Sequence, residues 1–236
     1  MERPLNIFGS LLFLLLVVAA CSGGQSGRPG ENKFKNYNWT NSSDTTYVQM
    51  IREERREKDQ EFRDTTTSPI PNDEIKQFDG LNYYPIKLKY RVKARFERTP
   101  DQDPFVMATT GDKKPEYVKY GELHFELKGQ QLTLNVYQNL GHLETEEYKD
   151  YLFLPFTDAT SGKETYGGGR YIDLHRPLPD TVMVDFNKAY NPWCVYNYTD
   201  YDCPIPPKPN RMDIAIRAGE KKYDKPGGKG DHKVLK

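Results

Sequence analysis

Between Ile86 and Phe96 the chain alternates without a break. Ile86, Leu88, Tyr90, Val92, Ala94 and Phe96 form one set, and Lys87, Lys89, Arg91, Lys93 and Arg95 the other. A period of two buries one face of a strand and wets the other, and no helix can use it. The pattern recurs in Leu123, Phe125 and Leu127 and in Leu132, Leu134 and Val136. The turn Lys128-Gly129-Gln130 joins these two runs into a hairpin. His124 falls on the outward set and reads as surface. Phe105 to Thr109 is a short strand before a turn at Gly111-Asp112, and Tyr151 to Phe156 is a buried apolar strand. Thr165 to Leu174, Thr181 to Phe186 and Met212 to Ala218 complete the set. About eight or nine short strands without alternating helices predict an all-β fold, an antiparallel β-sandwich or partly closed barrel. The 17 Tyr, 18 Gly and 17 Pro suit such a fold.

One helix is expected, from about Thr46 to Arg63, capped by Ser43 or Asp44. Its middle, Arg52 to Lys58, is fully charged, with Glu54–Lys58 and Arg55–Asp59 at i,i+4. Val48, Ile51 and Phe62 are the expected docking points, and the charged face reads as solvated. Ser68-Pro69-Ile70-Pro71 closes the segment. The helix should cover an end or an edge of the sheet. The basic stripe on the Ile86–Phe96 strand also reads as a solvated face. With 34 basic and 34 acidic residues the net charge is zero, which leaves no electrostatic pull on nucleic acid.

Ahead of the domain, Arg3 precedes an apolar run from Ile7 to Ala20 that ends Val18-Ala19-Ala20-Cys21. A run this short with small residues at its end reads as a secretory signal rather than a membrane span. Its last four residues resemble the lipobox of bacterial lipoproteins. The resemblance implies cleavage before Cys21, acylation of that cysteine and attachment to the membrane by acyl chains such as palmitate. No Asp stands next to Cys21 and no acidic run follows it, which by resemblance to lipoprotein sorting points to the outer membrane, facing the periplasm. The expected division is a signal peptide over residues 1–20, a flexible Gly/Ser-rich tether over 21–43, a single β-rich domain over 44–221, and a disordered polar tail over 222–236.

Three stretches break the strand pattern: Thr157 to Tyr171, Asp185 to Asn197, and Cys203 to Asn210. The glycines at 167–169 allow positive φ or close backbone approach. Arg170, just after them, could clamp a carboxylate or phosphate; equally, the glycines could mark a bulge or tight crossing, with Arg170 pairing a structural acid such as Asp185. The surroundings match neither a phosphate loop nor a dinucleotide fingerprint. Asp158, Glu164, Asp173 and Asp185 are the local acids, available for acid–base work or a hard cation if two converge. His124, His142, His175 and His232 are scattered without zinc-type spacing, and Ser161 lacks a nucleophile elbow. No metal and no cofactor is therefore expected. Cys194 and Cys203 bracket a short Tyr-rich loop. In an oxidising compartment such a pair is expected as a disulfide, against the rival of a reactive thiol or thiolate ligand.

The strings Gly80-Leu81-Asn82-Tyr83-Tyr84-Pro85, Thr160 to Tyr171, Asp185 to Asn197, Cys203 to Asn210 and Ala218-Gly219-Glu220 resemble the bacterial family called domain of unknown function 1684. The resemblance spans roughly Tyr47 to Lys221. It implies a common domain in which these strings lie together, and it supplies no activity. The leading expectation is a lipid-anchored cell-envelope module that binds a small molecule through Tyr166, Arg170, Asp185, Asn187 and Asn191. The alternatives are a hydrolase using acids of the same cluster and a non-catalytic envelope structural or assembly factor. Thr160 to Tyr171, Asp185 to Asn191 and the Cys194 loop are expected to meet at one end of the sheet, with Arg170 facing Asp185 or a ligand shared with it.

Overall fold

The computed structural model describes residues 44–224. Cys21, the 1–20 signal, the 21–43 tether and most of the 222–236 tail lie outside the described residues. The fold is an antiparallel sheet curled into a half-barrel, with one long helix, α1 (Asp44–Arg63). Seven strands form it: β1 (Arg91–Arg98), β2 (Phe105–Val106), β3 (Glu116–Leu127), β4 (Gln130–Asn139), β5 (Tyr151–Phe156), β6 (Arg170–His175) and β7 (Thr181–Asp185). Their order is β6-β5-β4-β3-β1-β7, with β2 beside β3. The two outer strands come together at one end. Tyr171 of β6 and Tyr190, just past β7, exchange backbone bonds of 3.0 Å each.

The count is seven rather than eight or nine because Met212–Ala218 is not a ladder strand. It keeps the alternation: Met212, Ile214, Ile216 and Ala218 are buried, while Asp213 and Arg217 are exposed. Its backbone partners are mixed, however. Met212 N donates to Thr157 O, Ile214 O accepts from Ala159 N, and Ile216 N donates to the Asp158 carboxylate. A side chain standing in for a strand neighbour interrupts the ladder. The same effect shortens the first strand. Asn187 clasps Lys87 in both directions, accepting from its N–H and donating to its carbonyl at 3.0 Å each. Those groups are lost to pairing, so Leu88–Tyr90 form a 3-10 turn, Leu88 is exposed, and β1 begins at Arg91. In β6 the expected start at Thr165 gives way to a turn through Gly169, and pairing begins at Arg170.

The inner face of the sheet carries the main core, including Leu123, Phe125, Leu134, Val136, Leu152, Leu154, Phe156, Val184 and Phe186, with Met212–Ala218 packed into it. The β4 and β5 strands share the register pair Tyr137–Phe153. Beyond it the buried Asn210 bridges them, donating to Asn135 O at 2.8 Å and Pro155 O at 2.7 Å and accepting from Asn135 N. On the outer face, Tyr117, Tyr137, Phe153 and Tyr171 form a separate aromatic layer with Met107.

The α1 helix overturns the expectation of a solvated charged face. Tyr47, Ile51 and Phe62 are buried, and burying Ile51 and Phe62 contributes about 1.5–3 kcal/mol each. Between them, on the same face, the charges grip the domain. Glu54 meets Lys188 at 2.7 Å and Lys58 meets Glu220 at 2.7 Å. Arg55 donates to Tyr84 O and Asn187 O, Asp59 accepts from Leu81 N, and Arg63 donates to Asp79 O.

Candidate functional site

Four of the five residues expected to hold a ligand are buried and bonded to the protein itself. Arg170 is 0% exposed. The glycine before it explains how it gets inside. Gly169 has φ +94°, and a Cβ there would sit 2.6 Å from Phe156 O, so only glycine lets the chain cross at this point. Arg170 then donates from Nη1 to Ala218 O and, at 3.0 Å, to Glu220 O. From Nη2 it donates to Ile216 O at 2.8 Å and to Asp158 Oδ2 at 2.9 Å. Its acid is Asp158, not Asp185. The other oxygen of Asp158 accepts from Thr160 N, Thr160 Oγ1 and Ile216 N.

Asp185 belongs to a different cluster, at the end of β7. It accepts from the Tyr47 hydroxyl at 2.8 Å and from the backbone and side chain of Asn187. Burial pushes its carboxyl above the usual range, against the pull of the Tyr47 and Asn187 bonds. Asn191 donates its backbone N–H to Glu220 Oε2 at 2.7 Å and its amide to Lys221 O. Tyr166 packs partly buried against the cluster of Phe62, Val195 and Tyr196. Two of the irregular stretches, Thr157–Tyr171 and Asp185–Asn197, converge on a hub at Ile216–Lys221. Arg170 reaches three of the carbonyls there, while Glu220 takes Asn191, Tyr196 and Lys58. Cys194 and Cys203 form a disulfide with their Cα atoms 5.9 Å apart.

A second polar centre lies on the opposite face of the same strand. Along β6 the side chains alternate, so Arg170 and Ile172 point inward and Tyr171 and Asp173 outward. Asp173 Oδ1 accepts from the Tyr151 hydroxyl at 2.8 Å and from the Tyr190 hydroxyl at 2.6 Å. Among the described residues nothing bonds Oδ2, and that atom is not sealed from solvent. Rings wall the acid: Phe153 and Tyr171 meet edge to face at 4.6 Å, and Tyr171 and Tyr190 at 5.8 Å. Lys58 Nζ stands 4.8 Å over the Tyr190 ring. His175 lies 6.0 Å and His142 5.9 Å from Tyr151, so two of the scattered histidines flank one tyrosine.

Crowding by protein atoms pushes the Asp173 carboxyl above its usual range, although both tyrosine bonds pull it down. The Tyr151 and Tyr190 hydroxyls are pushed well above the ordinary phenol value by burial and by Asp173 itself. They are therefore standing donors at neutral pH. The residue as a whole is only partly buried. The sequence held a signal for it. Tyr151, Phe153, Tyr171 and Asp173 occupy outward positions on two paired strands, where a solvated face would carry lysines and glutamates as β1 does.

Among the described residues no group of three His, Cys, Asp or Glu is arranged to hold a metal, and no helix is long and apolar enough to cross a membrane.

The chain does not match any protein of curated function. It is similar to the solution NMR structure of an uncharacterized protein from Haloarcula marismortui, at 34% identity, over 75% of this chain and 95% of that one, with a TM-score of 0.57. The model of the family described as "Protein of unknown function (DUF1684)" matches residues 76–221. That stretch runs from the Asp79-Gly80 turn through Glu220, so it holds the half-barrel, the Arg170 hub and the Asp173 face together, and the chain belongs to this family.

Proposed function

We propose that this chain is a lipid-anchored cell-envelope protein whose half-barrel binds a small polar ligand at the tyrosine-walled face around Asp173. The observation that carries the reading is the Asp173 carboxyl, which has one oxygen held by two tyrosine hydroxyls and one left open in an aromatic wall. Ligand sites combine apolar walls with a few convergent polar groups of perturbed pKa. The polar hub around Arg170 supports that wall from behind. The hydrolase alternative needs a second acid beside Asp173. Asp158 is engaged by Arg170, Glu164 by Arg217 and Tyr84, and Asp185 by Tyr47 and Asn187. The family match supports one shared domain and is neutral on the anchor. The Val18-Ala19-Ala20-Cys21 end supports the anchor.

Two experiments test the reading. Cys21→Ser should release the protein from membranes and abolish an acyl mass at that residue; a variant that stays bound, beside a wild type without acyl mass, removes the anchor. For the site, the full-length protein in detergent is screened by thermal shift against small polar metabolites, since a ligand for the folded state raises apparent stability. Hits should vanish in Asp173→Asn. Hits indifferent to that change, or a screen without any, would defeat the binding reading.

A further inference from the structure

The charges around the proposed site do not balance. Arg170 and Asp158 cancel at 2.9 Å, and Lys58 and Glu220 cancel at 2.7 Å. Asp173 makes no ion pair among the described residues, and its two bonds are both from neutral phenols; Lys58, already paired with Glu220, pulls on it only through space and least of all the influences acting on it. A carboxylate walled by protein, one oxygen satisfied and one open, is complemented by a single positive charge. The walls agree. Tyrosine faces attract cations through the ring quadrupole, and desolvation strengthens the attraction. The chain already demonstrates this at the rim, where the Lys58 ammonium rests over Tyr190. An anion would meet Asp173 as a like charge. A neutral molecule would leave the acid's charge uncompensated.

Resting on the binding reading above, the geometry points to a small alkylammonium as the ligand of this face: a monocation whose charged head reaches Asp173 Oδ2 while its methyl or methylene groups lie against Tyr151, Tyr171 and Tyr190. The head can come from a free amine or from a lipid headgroup, since both present the same group.

The test uses the full-length protein in a detergent without an ammonium group, titrated with tetramethylammonium, ethanolamine and choline, and with 3,3-dimethyl-1-butanol as the uncharged shape-mimic of choline. Saturable binding of at least one cation, read by calorimetry and by thermal shift, is expected. The neutral mimic should bind at least tenfold more weakly than choline. Asp173→Asn should weaken the cation at least tenfold. Arg211→Ala, at an exposed pair with Asp213, should leave binding unchanged; a loss as large as that of Asp173→Asn would overturn the assignment to this face. Glycerophosphoethanolamine then separates the sources: preference for it over ethanolamine identifies a headgroup, and the reverse a free amine. If the neutral mimic binds as well as choline and does so through Asp173, the cation assignment fails while the binding site stands. If no probe binds, or binding survives Asp173→Asn unchanged, the cation assignment is overturned; the metabolite screen then decides separately whether the face binds anything.

Discussion

Asp158 and Asp173 lie on either side of the β5–β6 pair, and the chain treats them in opposite ways. Asp158 is sealed on the inner side, and its two oxygens take four hydrogen bonds, one of them from a guanidinium. Asp173 faces outward with two bonds on one oxygen and an open partner. A buried ion pair whose lone pairs are filled is a structural device: it fixes where the C-terminal segment crosses the sheet. A carboxyl kept short of partners inside a crowded wall has capacity left over. Polar residues that interrupt a strand pattern thus divide by their unfilled valence, and perturbation alone does not sort them.

The sharpest way to break this comparison is through Arg170. Arg170→Ala leaves Asp158 as a buried, uncompensated charge and strips three carbonyls of a donor. A loss of about 3–5 kcal/mol is expected, read as the free energy of urea unfolding. Arg170→Lys should recover little of it, because one ammonium cannot reach acceptors spread from Asp158 to Glu220. Arg211→Ala, at an exposed pair with Asp213, should stay within about 0.5 kcal/mol. A near-wild-type Arg170→Ala would mean that the inner acid is as open as the outer one.

Second in size is the disulfide that closes the Tyr-rich loop. Replacing Cys194 and Cys203 by alanine frees a loop with a sequence separation of nine and should cost about 2–3 kcal/mol by chain entropy. Non-reduced peptide mapping should recover the pair as one linked species. Full alkylation of both thiols without reductant would contradict it.

The Asp185 cluster lies between the two acids in character. Its carboxyl is raised by burial, yet Tyr47 and Asn187 supply bonds to it. Tyr47→Phe deletes a hydroxyl that bonds Asp185 and accepts from Asn187, and a loss of about 2 kcal/mol is expected. That loss should appear as loosening of α1, with faster amide exchange there than in β3.

Much of this could be read from the chain. The period-two runs place β1, β3 and β4 because an inward residue every second position is what a half-buried strand demands, and the continuous apolar run Tyr151–Phe156 places β5. The hub was only half legible. Thr160 to Tyr171 and Asp185 to Asn197 stand out as irregular, but the Arg170 partner is set by how the chain crosses at Gly169. Asp158 and Asp185 are equivalent on paper. The charged helix face is illegible in sequence for a related reason. Tyr47, Ile51, Glu54, Arg55, Lys58 and Phe62 share one helical face, so the charged middle continues the docking stripe. A charge buried against a distant partner such as Glu220 looks in sequence like a charge in water. The Asp173 face is hard to see in sequence because its members come from β5, β6 and the turn beyond β7. Only the tyrosines at outward positions mark it.

The smallest effect on stability tests the outer acid most directly. The Asp173 carboxyl is held above its ordinary value by crowding. Between that ordinary value and the raised one, the folded protein carries a proton that the unfolded chain has released. Folding stability must then fall as pH rises through this window and level off above it. Asp173→Asn keeps an oxygen for Tyr151 and Tyr190 and removes the titration. Wild type and variant should be nearly equal below the window. Above it the wild type should be the less stable of the two, by about 1 kcal/mol or less given the acid's partial contact with water. Asp185, Glu54 and Asp59 are also raised, and they titrate in both proteins, so the difference curve isolates Asp173. A saturating alkylammonium should reverse the sign above the window, because the cation stabilises the ionised acid and only the wild type has one. A wild type that instead gains on the variant with rising pH, without ligand, would mean that Asp173 already has a counter-charge, and the contrast with Asp158 would collapse.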